Sequence, residues 1–579
     1  MLSAQCLIEG VVVDAGDGLP LAGVVASVSR HDLRAVSDEN GVFKLDLCGV
    51  CSETTHEISL QYTGYEERKI AIHLPQQQRL RIQLLPDAGL LVQTIVCEVR
   101  SDATQTQSVE RLTRADLDAN LRGNLAESLT RIAGVDVLKT GTGIGKPVVR
   151  GLWGARVGVR IDNLRLEGQQ WGGDHGLEVD ALDVQTVSVV KGASALAYGG
   201  DATGGLVLIE SADFAPLTRP LHASVHALYK SNNQHYGISA QVRTGGENWR
   251  VQARATQQSW GDYAVNADSF TYNGYNLPLY DRRLKNSAGV ERSARVSAAL
   301  LQHNRYFSRL TASAYWLDAG IFAGAVGIPR SYSLQPDGNL RDRLNPRQNV
   351  AHYRLQWQHT HYFKNPAWQW YHQLAGQYNL RREFSNPETH SRPLSAEGNN
   401  NLALSLGLFT LTAETRAEFH KPNSGHSYQF GVQANAQRQT ATGFEFLSPS
   451  YSATQAAAYA SAEYSTAGGN LLTYGARLDY SQLQTEAHSV TARSLTGETI
   501  EQQRASALHR QFLNYALAVG YRHNLPKGQS LRFHLAKGFR TPTANELAAN
   551  GIHHGTFRHE RGDSSLRSEE AYQIGRAHV

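Results

Sequence analysis

Apolar and polar residues alternate with a period of two through much of the chain after residue 220. The alternation is clearest at 221–227, 236–243 and 249–256, where histidine, arginine and glutamine recur at the polar positions. It returns at 310–316, 430–436, 458–464, 472–480, 513–521 and 531–535. Such side chains facing inward on strand after strand would be costly in a packed core, but they suit a wide, wet lumen. The pattern therefore predicts an antiparallel transmembrane β-barrel whose apolar face meets lipid.

The average composition is compatible with a barrel and excludes other classes. Only 41% of the 579 residues are apolar, and the mean hydropathy is -0.39. Helical membrane spans are excluded because they need an unbroken apolar run of roughly twenty residues. The formal net charge of +4 is spread without a lysine or arginine block, so nucleic acid is not an expected partner. Polar connections at 266–293, 320–349 and 385–400 alternate with short turns, as outer-membrane barrels require.

A different pattern precedes the barrel region. Residues 185–211 contain two apolar runs around a small-residue segment with five glycines, which predicts a strand, a helix or turn, and a second strand. Glycine allows positive φ and close backbone approach, so this segment is expected to be tightly packed. Upstream, 120–135 predicts a helix that Gly134 ends, and 157–161 predicts a strand followed by a turn at Asp162. By itself, the glycine-rich segment would also fit a loop of an α/β enzyme.

The order of these segments carries a family resemblance. They read LAESLTRIAGVDV, VVRGL, RVGVRIDNLRLEG and VSVVKGASALAYGGDATGGLVLIES. This succession resembles the plug domain of TonB-dependent outer-membrane receptors. The resemblance implies a mainly β protein with an α/β plug domain at 111–215 and a transmembrane barrel at 216–579, in the outer membrane of a Gram-negative bacterium. It also implies energy-coupled uptake of a scarce nutrient without catalysis.

Two other classes compete with this interpretation. A secreted metallohydrolase with an appended β-sandwich would be soluble, and the chain offers neither a Ser/His/Asp constellation nor an H-E-x-x-H motif to support it. An adhesin or a passive porin would have no need of a plug.

The end of the chain resembles a late part of the family's barrel. The matching segments are 538–547, 551–557 and 566–575. The family normally has 22 strands, whereas residues 216–579 leave room for about 14 to 16 at typical strand lengths. The barrel is therefore expected to be incomplete at its C-terminal side. The last six residues, 574–579, resemble a translated sequencing adapter.

The N-terminal region predicts a separate small domain. Residues 1–6 resemble the end of a signal peptide. Short β-runs between Gly, Asp and Asn turns at 7–88 predict a β-sandwich that resembles the carboxypeptidase-regulatory-like domain of many such receptors. All four cysteines, Cys6, Cys48, Cys51 and Cys97, lie in the first hundred residues. A local disulfide between Cys48 and Cys51, or two free thiols, is favoured over a zinc site there because other ligands are not at a usual spacing.

A β-prone segment joins this domain to the plug. Residues 89–110 occupy the place where the family keeps its TonB box, and the best match is Gln93, Thr94, Ile95 and Val96. The resemblance implies that this peptide adds a strand to TonB of the TonB–ExbB–ExbD system, which uses backbone hydrogen bonds and tolerates a loose consensus. The alternative is an edge strand of the N-terminal domain.

The sequence also suggests a metal as the transported substrate. Asp174 and His175 lie on a predicted plug loop, and the late-barrel segment supplies His553, His554, His559 and Glu560. Carboxylate and imidazole together suit Zn²⁺ or another transition metal. The Asp-His pair resembles the plug site of zinc-uptake receptors in the family. No cofactor is expected; a solvated polar loop, or a site for a ferric siderophore, haem or cobalamin, remains the alternative.

Overall fold

The structure is a computed structural model in which the chain forms two compact units. The first contains the N-terminal domain, and the second contains most of the chain after residue 98. The described residues are 7–84, 106 and 109–578, apart from 16–19, 22, 29–32, 39, 48–54, 63–64, 66, 74–79, 173–174, 193–197, 201, 212–220, 247, 273, 303–304, 327–333, 364, 366, 387–400, 422–423, 467, 494–498, 526–528 and 554–557. The predicted TonB box and all four cysteines lie outside these residues.

The N-terminal domain is built from short strands in two sheets. They are β1 Leu7–Asp14, β2 Val25–Val28, β3 Arg34–Val36, β4 Val42–Asp46, β5 Thr55–Gln61, β6 Arg68–His73 and β7 Leu80–Leu84. One sheet has the order β4-β1-β7 and the other β3-β2-β5-β6. Alternating apolar residues such as Phe43, Leu45 and Ile58 pack into a buried core. This is the predicted small β-sandwich.

The plug contains seven strands and two short helices among its described residues. They are β8 Val109–Thr113, α1 Arg114–Ala119, α2 Leu125–Ser128, β9 Val135–Gly141, β10 Ile144–Val149, β11 Val157–Ile161, β12 Leu164–Arg165, β13 Thr186–Lys191 and β14 Gly205–Glu210. Five strands form a mixed sheet in the order β12-β11-β14-β13-β8, and β9 pairs with β10 as a hairpin. Apolar side chains of α1, α2 and this sheet form the plug core.

The single helix predicted at 120–135 is wrong in its extent. The chain forms α1 before it, leaves the helix at Asn120, and restarts as α2 and a 3-10 turn at Leu129–Arg131. Asn124 caps the second helix because its side chain accepts a hydrogen bond from the Glu127 backbone N–H. This N-cap starts the helical part of the segment at Leu125, five residues later than predicted. Gly134 has a φ of +73°, as expected for the residue that ends it.

The predicted crowding at the glycine-rich segment is confirmed. A Cβ at Gly204 would lie 2.8 Å from Leu152 Cβ. One at Gly205, where φ is +153°, would lie 2.9 Å from both Val149 Cγ1 and the Val190 carbonyl oxygen. Both positions need glycine because neighbouring plug segments pack directly against the backbone at the start of β14.

The barrel region forms long antiparallel strands with short hairpins in the connections. The elements are β15 Leu221–Lys230, β16 His235–Gly245, β17 Trp249–Trp260, β18 Tyr263–Ala264, β19 Ser269–Tyr272, β20 Tyr275–Pro278, β21 Arg283–Leu284, β22 Gly289–Gln302, β23 Tyr306–Gly320, α3 Ala323–Val326, β24 Arg347–Tyr362, β25 Trp368–Phe384, β26 Leu402–His420, β27 His426–Thr442, β28 Tyr451–Ser465, β29 Leu471–Thr485, β30 His488–Arg493, β31 Thr499–Ala505, β32 Leu508–Asn524, β33 Ser530–Arg540, α4 Ala544–Ala548, β34 Asn550–His553, β35 Arg558–Arg561 and β36 Glu569–His578.

Within the described residues, fourteen of these strands form one sheet in chain order, β15-β16-β17-β22-β23-β24-β25-β26-β27-β28-β29-β32-β33-β36. Strand number and alternation agree with the sequence prediction. The first long connection lies five residues earlier than predicted, at 261–288 instead of 266–293, because β17 extends to Trp260 and β22 begins at Gly289. Since successive strands are antiparallel, the long connections all lie at one end of the sheet, here called the loop end. The short turns lie at the other end, except the turn at 231–234 between β15 and β16.

Burial along the strands is inverted relative to a soluble protein. On β24, Tyr353, Leu355 and Trp357 are 43%, 54% and 39% exposed, whereas Gln356 and Gln358 are 5% and 2% exposed. Apolar side chains therefore point outward and polar ones point to the plug. This inversion is what a barrel in lipid requires, because water-like surroundings exist only inside it.

Aromatic side chains collect on the outside near the short-turn end. Trp368 packs against Phe419 with ring centroids 4.6 Å apart, and Phe363 packs against Trp370 at 5.5 Å. Aromatic belts of this kind sit at the headgroup level of a bilayer. Among the described residues, no helix is long and apolar enough to cross a bilayer.

Candidate functional site

The plug is attached to one wall of the barrel by buried ion pairs. Asp183 of the plug accepts two hydrogen bonds of 2.6 Å from the Arg295 guanidinium on β22. The same carboxylate lies 3.1 Å from Arg254 Nε on β17. Arg295 is 5% exposed and also donates to the Ser211 carbonyl oxygen at 2.9 Å. Two arginines thus converge on one carboxylate, and both must be neutralised at this depth.

A second attachment lies at the tight turn between β11 and β12. Asp162 has a φ of +47°, and its carbonyl oxygen accepts hydrogen bonds from Gln356 and Gln358 of β24 at 2.8 and 2.9 Å. Burial disfavours the charged carboxylate, but the charges of Arg309 and Arg295 outweigh it, so the pKa of Asp162 is lowered. The predicted turn is therefore confirmed, and it serves as an anchor.

The third attachment contains His175, which is 1% exposed. Arg381 of β25 contacts both His175 Nδ1 and the Glu178 carboxylate. His175 Nε2 lies 3.7 Å from Glu383 Oε1, and His352 Nδ1 lies 3.1 Å from Glu178 Oε2. We call these five residues the His175 cluster. It lies near the loop end, because β24 begins there and β25 ends there.

Glu178 is the centre of this cluster. Its φ is +59°, a backbone conformation that side-chain-bearing residues seldom adopt and that costs about 1 to 3 kcal/mol. Asn379 donates a hydrogen bond to its carboxylate at 2.6 Å. Burial opposes ionisation, but the hydrogen bond with His352 and the charge of Arg381 outweigh it, so the pKa of Glu178 is lowered. Glu178 is therefore a buried, fully bonded carboxylate held in a strained conformation.

Nearby Asp180 behaves in the opposite way. Burial and then the neighbouring charge of Asp183 raise the pKa of Asp180. Its carboxylate accepts a hydrogen bond from the Ser293 hydroxyl at 2.7 Å. The plug loop after His175 thus presents carboxylates with different proton affinities to the same wall.

The predicted metal ligands are only partly described. Asp174 and His554, and the side chain of His553, lie outside the described residues. His559 is exposed on β35 and Glu560 is partly exposed beside it. Among the described residues, no group of three or more histidine, cysteine, aspartate or glutamate side chains is arranged to hold a metal ion. The metal site predicted from the sequence therefore stays a prediction.

Sequence reasoning missed the barrel partners of His175. These partners are His352, Asn379, Arg381 and Glu383, and Glu178 of the plug contacts the first three of them. Their signal is the period-two pattern of β24 and β25, in which most inward positions are polar and most outward positions are aromatic or aliphatic. That signal identifies inward residues but not which of them meets the plug.

Family models match most of the chain in three consecutive stretches. The model of the TonB-dependent receptor plug domain matches 101–206, and that of the TonB-dependent receptor-like β-barrel matches 300–574. The chain belongs to the TonB-dependent receptors. The CarboxypepD_reg-like domain model matches 8–97 of this receptor. Barrels of this family are outer-membrane proteins of Gram-negative bacteria, and the receptor is assigned to that membrane.

Curated relatives match the receptor over limited segments. SusC of Bacteroides thetaiotaomicron is 26% identical over 223 residues, which are 35% of this chain and 21% of SusC. The hemin receptor of Yersinia pestis is 29% identical over 119 residues, 20% of this chain and 18% of the relative. The matched parts therefore span about a fifth of these relatives.

Solved structures share the fold over a larger part. The Serratia marcescens hemophore receptor HasR superposes with a TM-score of 0.62 at 15% identity, covering 82% of this chain and 70% of HasR. The copper transporter OprC gives a TM-score of 0.60 at 15% identity, covering 81% of this chain and 69% of OprC. These superpositions establish a common fold of plug and barrel, and at 15% identity they establish the fold alone.

Proposed function

We propose that this receptor carries a scarce nutrient across the outer membrane by energy-coupled transport, and that it catalyses no reaction. The supporting observation is a folded plug bound to the inner wall of the barrel by buried ion pairs such as Asp183 with Arg295. A passive pore does not need a plug attached in this way. A gated transporter needs a plug that stays closed until the energy-coupling partner pulls on it. Fractionation tests the class: a metallohydrolase would be soluble, while the receptor is recovered in detergent-extracted outer membrane.

The energy-coupling partner in this proposal is TonB of the TonB–ExbB–ExbD system. The segment Gln93, Thr94, Ile95 and Val96 would pair with it as an added strand, so its backbone N–H groups are the functional groups.

We expect Ile95→Pro to abolish uptake while leaving nutrient binding unchanged. Proline removes one backbone donor and fixes φ, so the added strand cannot form across this position. Radiolabelled uptake and equilibrium binding in whole cells separate the two effects. Ile95→Val keeps the backbone donor and should transport normally. Normal uptake by Ile95→Pro would refute the assignment of the box.

The proposed substrate is a transition-metal ion such as zinc, taken at the His175 cluster with help from Asp174. The Arg381 guanidinium of β25 contacts His175 and the Glu178 carboxylate, and Glu383 lies 3.7 Å from His175, so this site already favours positive charge. A divalent ion would take over contacts of Arg381, with His553, His554, His559 and Glu560 of the loop-end segment contributing during capture. Imidazole and carboxylate are ligands that Zn²⁺ accepts.

We expect His175→Ala to weaken Zn²⁺ binding by roughly 10-fold or more, the scale on which metal sites respond to disturbed ligation. Binding by the unchanged receptor should also weaken as the pH falls through about 6.5, because protons then compete for imidazole nitrogen. Calorimetry on the receptor measures both. His559→Ala is a useful comparison, since an exposed ligand used only in capture should matter less. No heat with Zn²⁺, or equal affinity in His175→Ala, would exclude the metal.

The second candidate substrate is an organic chelate, namely a ferric siderophore, haem or cobalamin. Its support is that the names of similar proteins include a hemin receptor, a vitamin B12 transporter and a ferric yersiniabactin uptake receptor. In that case His175→Ala should leave the affinity for the chelate almost unchanged, because the chelate already fills the coordination positions of the metal.

A further inference from the structure

The barrel wall from β26 to β29 is organised differently from the wall that carries the buried ion pairs. On β26, Arg416 pairs with Glu418 at 2.8 Å and with Glu414 at 3.4 Å. On β29, Arg477 pairs with Asp479 at 2.7 Å and donates to Gln433 of β27 at 2.8 Å. These inward-facing charges are neutralised along the wall itself. They would keep these wall partners if the plug moved away, whereas Arg295 and Arg381 would lose the plug carboxylates of Asp183 and Glu178.

A cavity lies between the plug and this self-paired wall. Its volume is about 130 Å³, and it is bounded by plug residues within 154–170 and by strands β27, β28, β29, β32 and β33. The inward side chains that line it include Asn435, Gln437, Gln455, Ser481 and Phe512. The space is large enough for several waters. Between the plug and the wall of β22 to β24, by contrast, the cavity beside Asp162 and Arg295 measures about 30 Å³.

The cavity is close to the loop end of the barrel. Tyr451 begins β28 and Leu483 nearly ends β29, and both belong to an apolar cluster with Trp171 of the plug. Trp171 donates a hydrogen bond to Gln439 of β27 at 2.8 Å. Among the described contacts, this cluster joins the plug to the wall through apolar packing and neutral hydrogen bonds without an ion pair. On the other wall, by contrast, buried arginines hold the plug carboxylates of Asp183 and Glu178.

We infer that the plug separates from the barrel first along β26–β29, and that the transport path opens through this cavity. This inference rests on the proposed transport function and deepens it. The lining is close to neutral, since the plug's Arg165 and Glu167 face each other at 3.3 Å and the wall contributes mainly amide and hydroxyl groups. Such a surface exchanges hydrogen bonds with a hydrated polar solute without binding it tightly. The wall with Asp162, Asp183 and the His175 cluster stays attached as the hinge side.

Two inward-facing serines allow a matched test. Ser481 of β29 lines the cavity, and Ser313 of β23 lines the small space on the hinge side. Ser481→Cys and Ser313→Cys are nearly isosteric. In the purified, detergent-solubilised receptor, urea is raised in steps and each thiol is probed with a methanethiosulfonate reagent. Peptide mapping assigns the modification to its position, so the four native cysteines can remain.

We expect the cysteine at 481 to be modified at a lower urea concentration than the cysteine at 313, and several-fold faster at any intermediate concentration. Equal urea midpoints of modification at the two positions, or modification at 313 at the lower urea concentration, would overturn the proposed opening side. Circular dichroism on the same samples must show an intact barrel, since unfolding of the barrel itself would expose both thiols together and would count against the inference.

The same variants in cells relate the opening to transport. With TonB present, modification at 481 should be several-fold faster than in a TonB-deficient strain, while modification at 313 stays constant. If uptake requires TonB but the rate at 481 does not respond, the path is wrong and the proposed function stands. If the urea experiment gives the expected order but uptake does not require TonB, the proposed function is wrong and the claim for a transport path falls with it.

Discussion

Asp183→Leu should destabilise the attachment of the plug by about 3 to 5 kcal/mol, the usual cost of removing one partner from a buried ion pair. The substitution leaves Arg254 and Arg295 facing each other without the carboxylate that both contact, at 11% and 5% side-chain exposure. The loss should appear as a large decrease in the urea concentration at which residues 109–211 become sensitive to trypsin in the detergent-solubilised receptor.

Asp136→Leu provides the control for this prediction. Asp136 is an exposed aspartate on the plug strand β9, and its side chain accepts a hydrogen bond only from the adjacent Val137 N–H among the bonds described. It should change the urea midpoint little, since isolated surface charges contribute little to stability. If both variants resist trypsin equally, the pair of arginines is not what holds the plug to β17 and β22.

Gly205→Val should be the second severe change, with a loss of about 3 kcal/mol or more in plug stability. Two costs add: a side chain at φ +153° is strained, and its Cβ would lie 2.9 Å from Val149 Cγ1 and from the Val190 carbonyl oxygen. Val190 lies on β13, which pairs with β14, and Val149 ends β10, so relief requires both neighbouring strands to move. The same urea and trypsin assay measures the effect.

Gly141→Val is the matched comparison in the same domain. Its Cβ would meet Ile144 Cδ1 at 3.5 Å, an ordinary van der Waals distance, and its φ is not in the restricted region. We expect a much smaller shift there. A similar shift for both variants would mean that valine acts through a general property of plug strands rather than through crowding at β14.

The sequence predicted architecture better than it predicted the site. The period-two pattern identified β15, β16 and β17 closely, and the ordered motifs identified the plug, because side-chain alternation and turn chemistry are local properties. The helix at 120–135 was wrong because the apolar period continues through Asn124, while the cap that restarts the helix depends on one side chain. The capping hydrogen bond of Asn124 leaves no mark on the hydrophobic periodicity.

The sequence by itself determined that a membrane barrel, a glycine-rich plug and an N-terminal sandwich are present. Only the tertiary structure decided which inward-facing residues meet the plug. Glu178 and Arg381 are 203 positions apart, and their contact depends on strand register, on the place where the loop after β12 lies, and on rotation of the plug within the barrel. None of these is a local property, and every inward polar residue has the same period. The physical reason is that polarity sets which way a side chain points, whereas long-range packing sets what it touches.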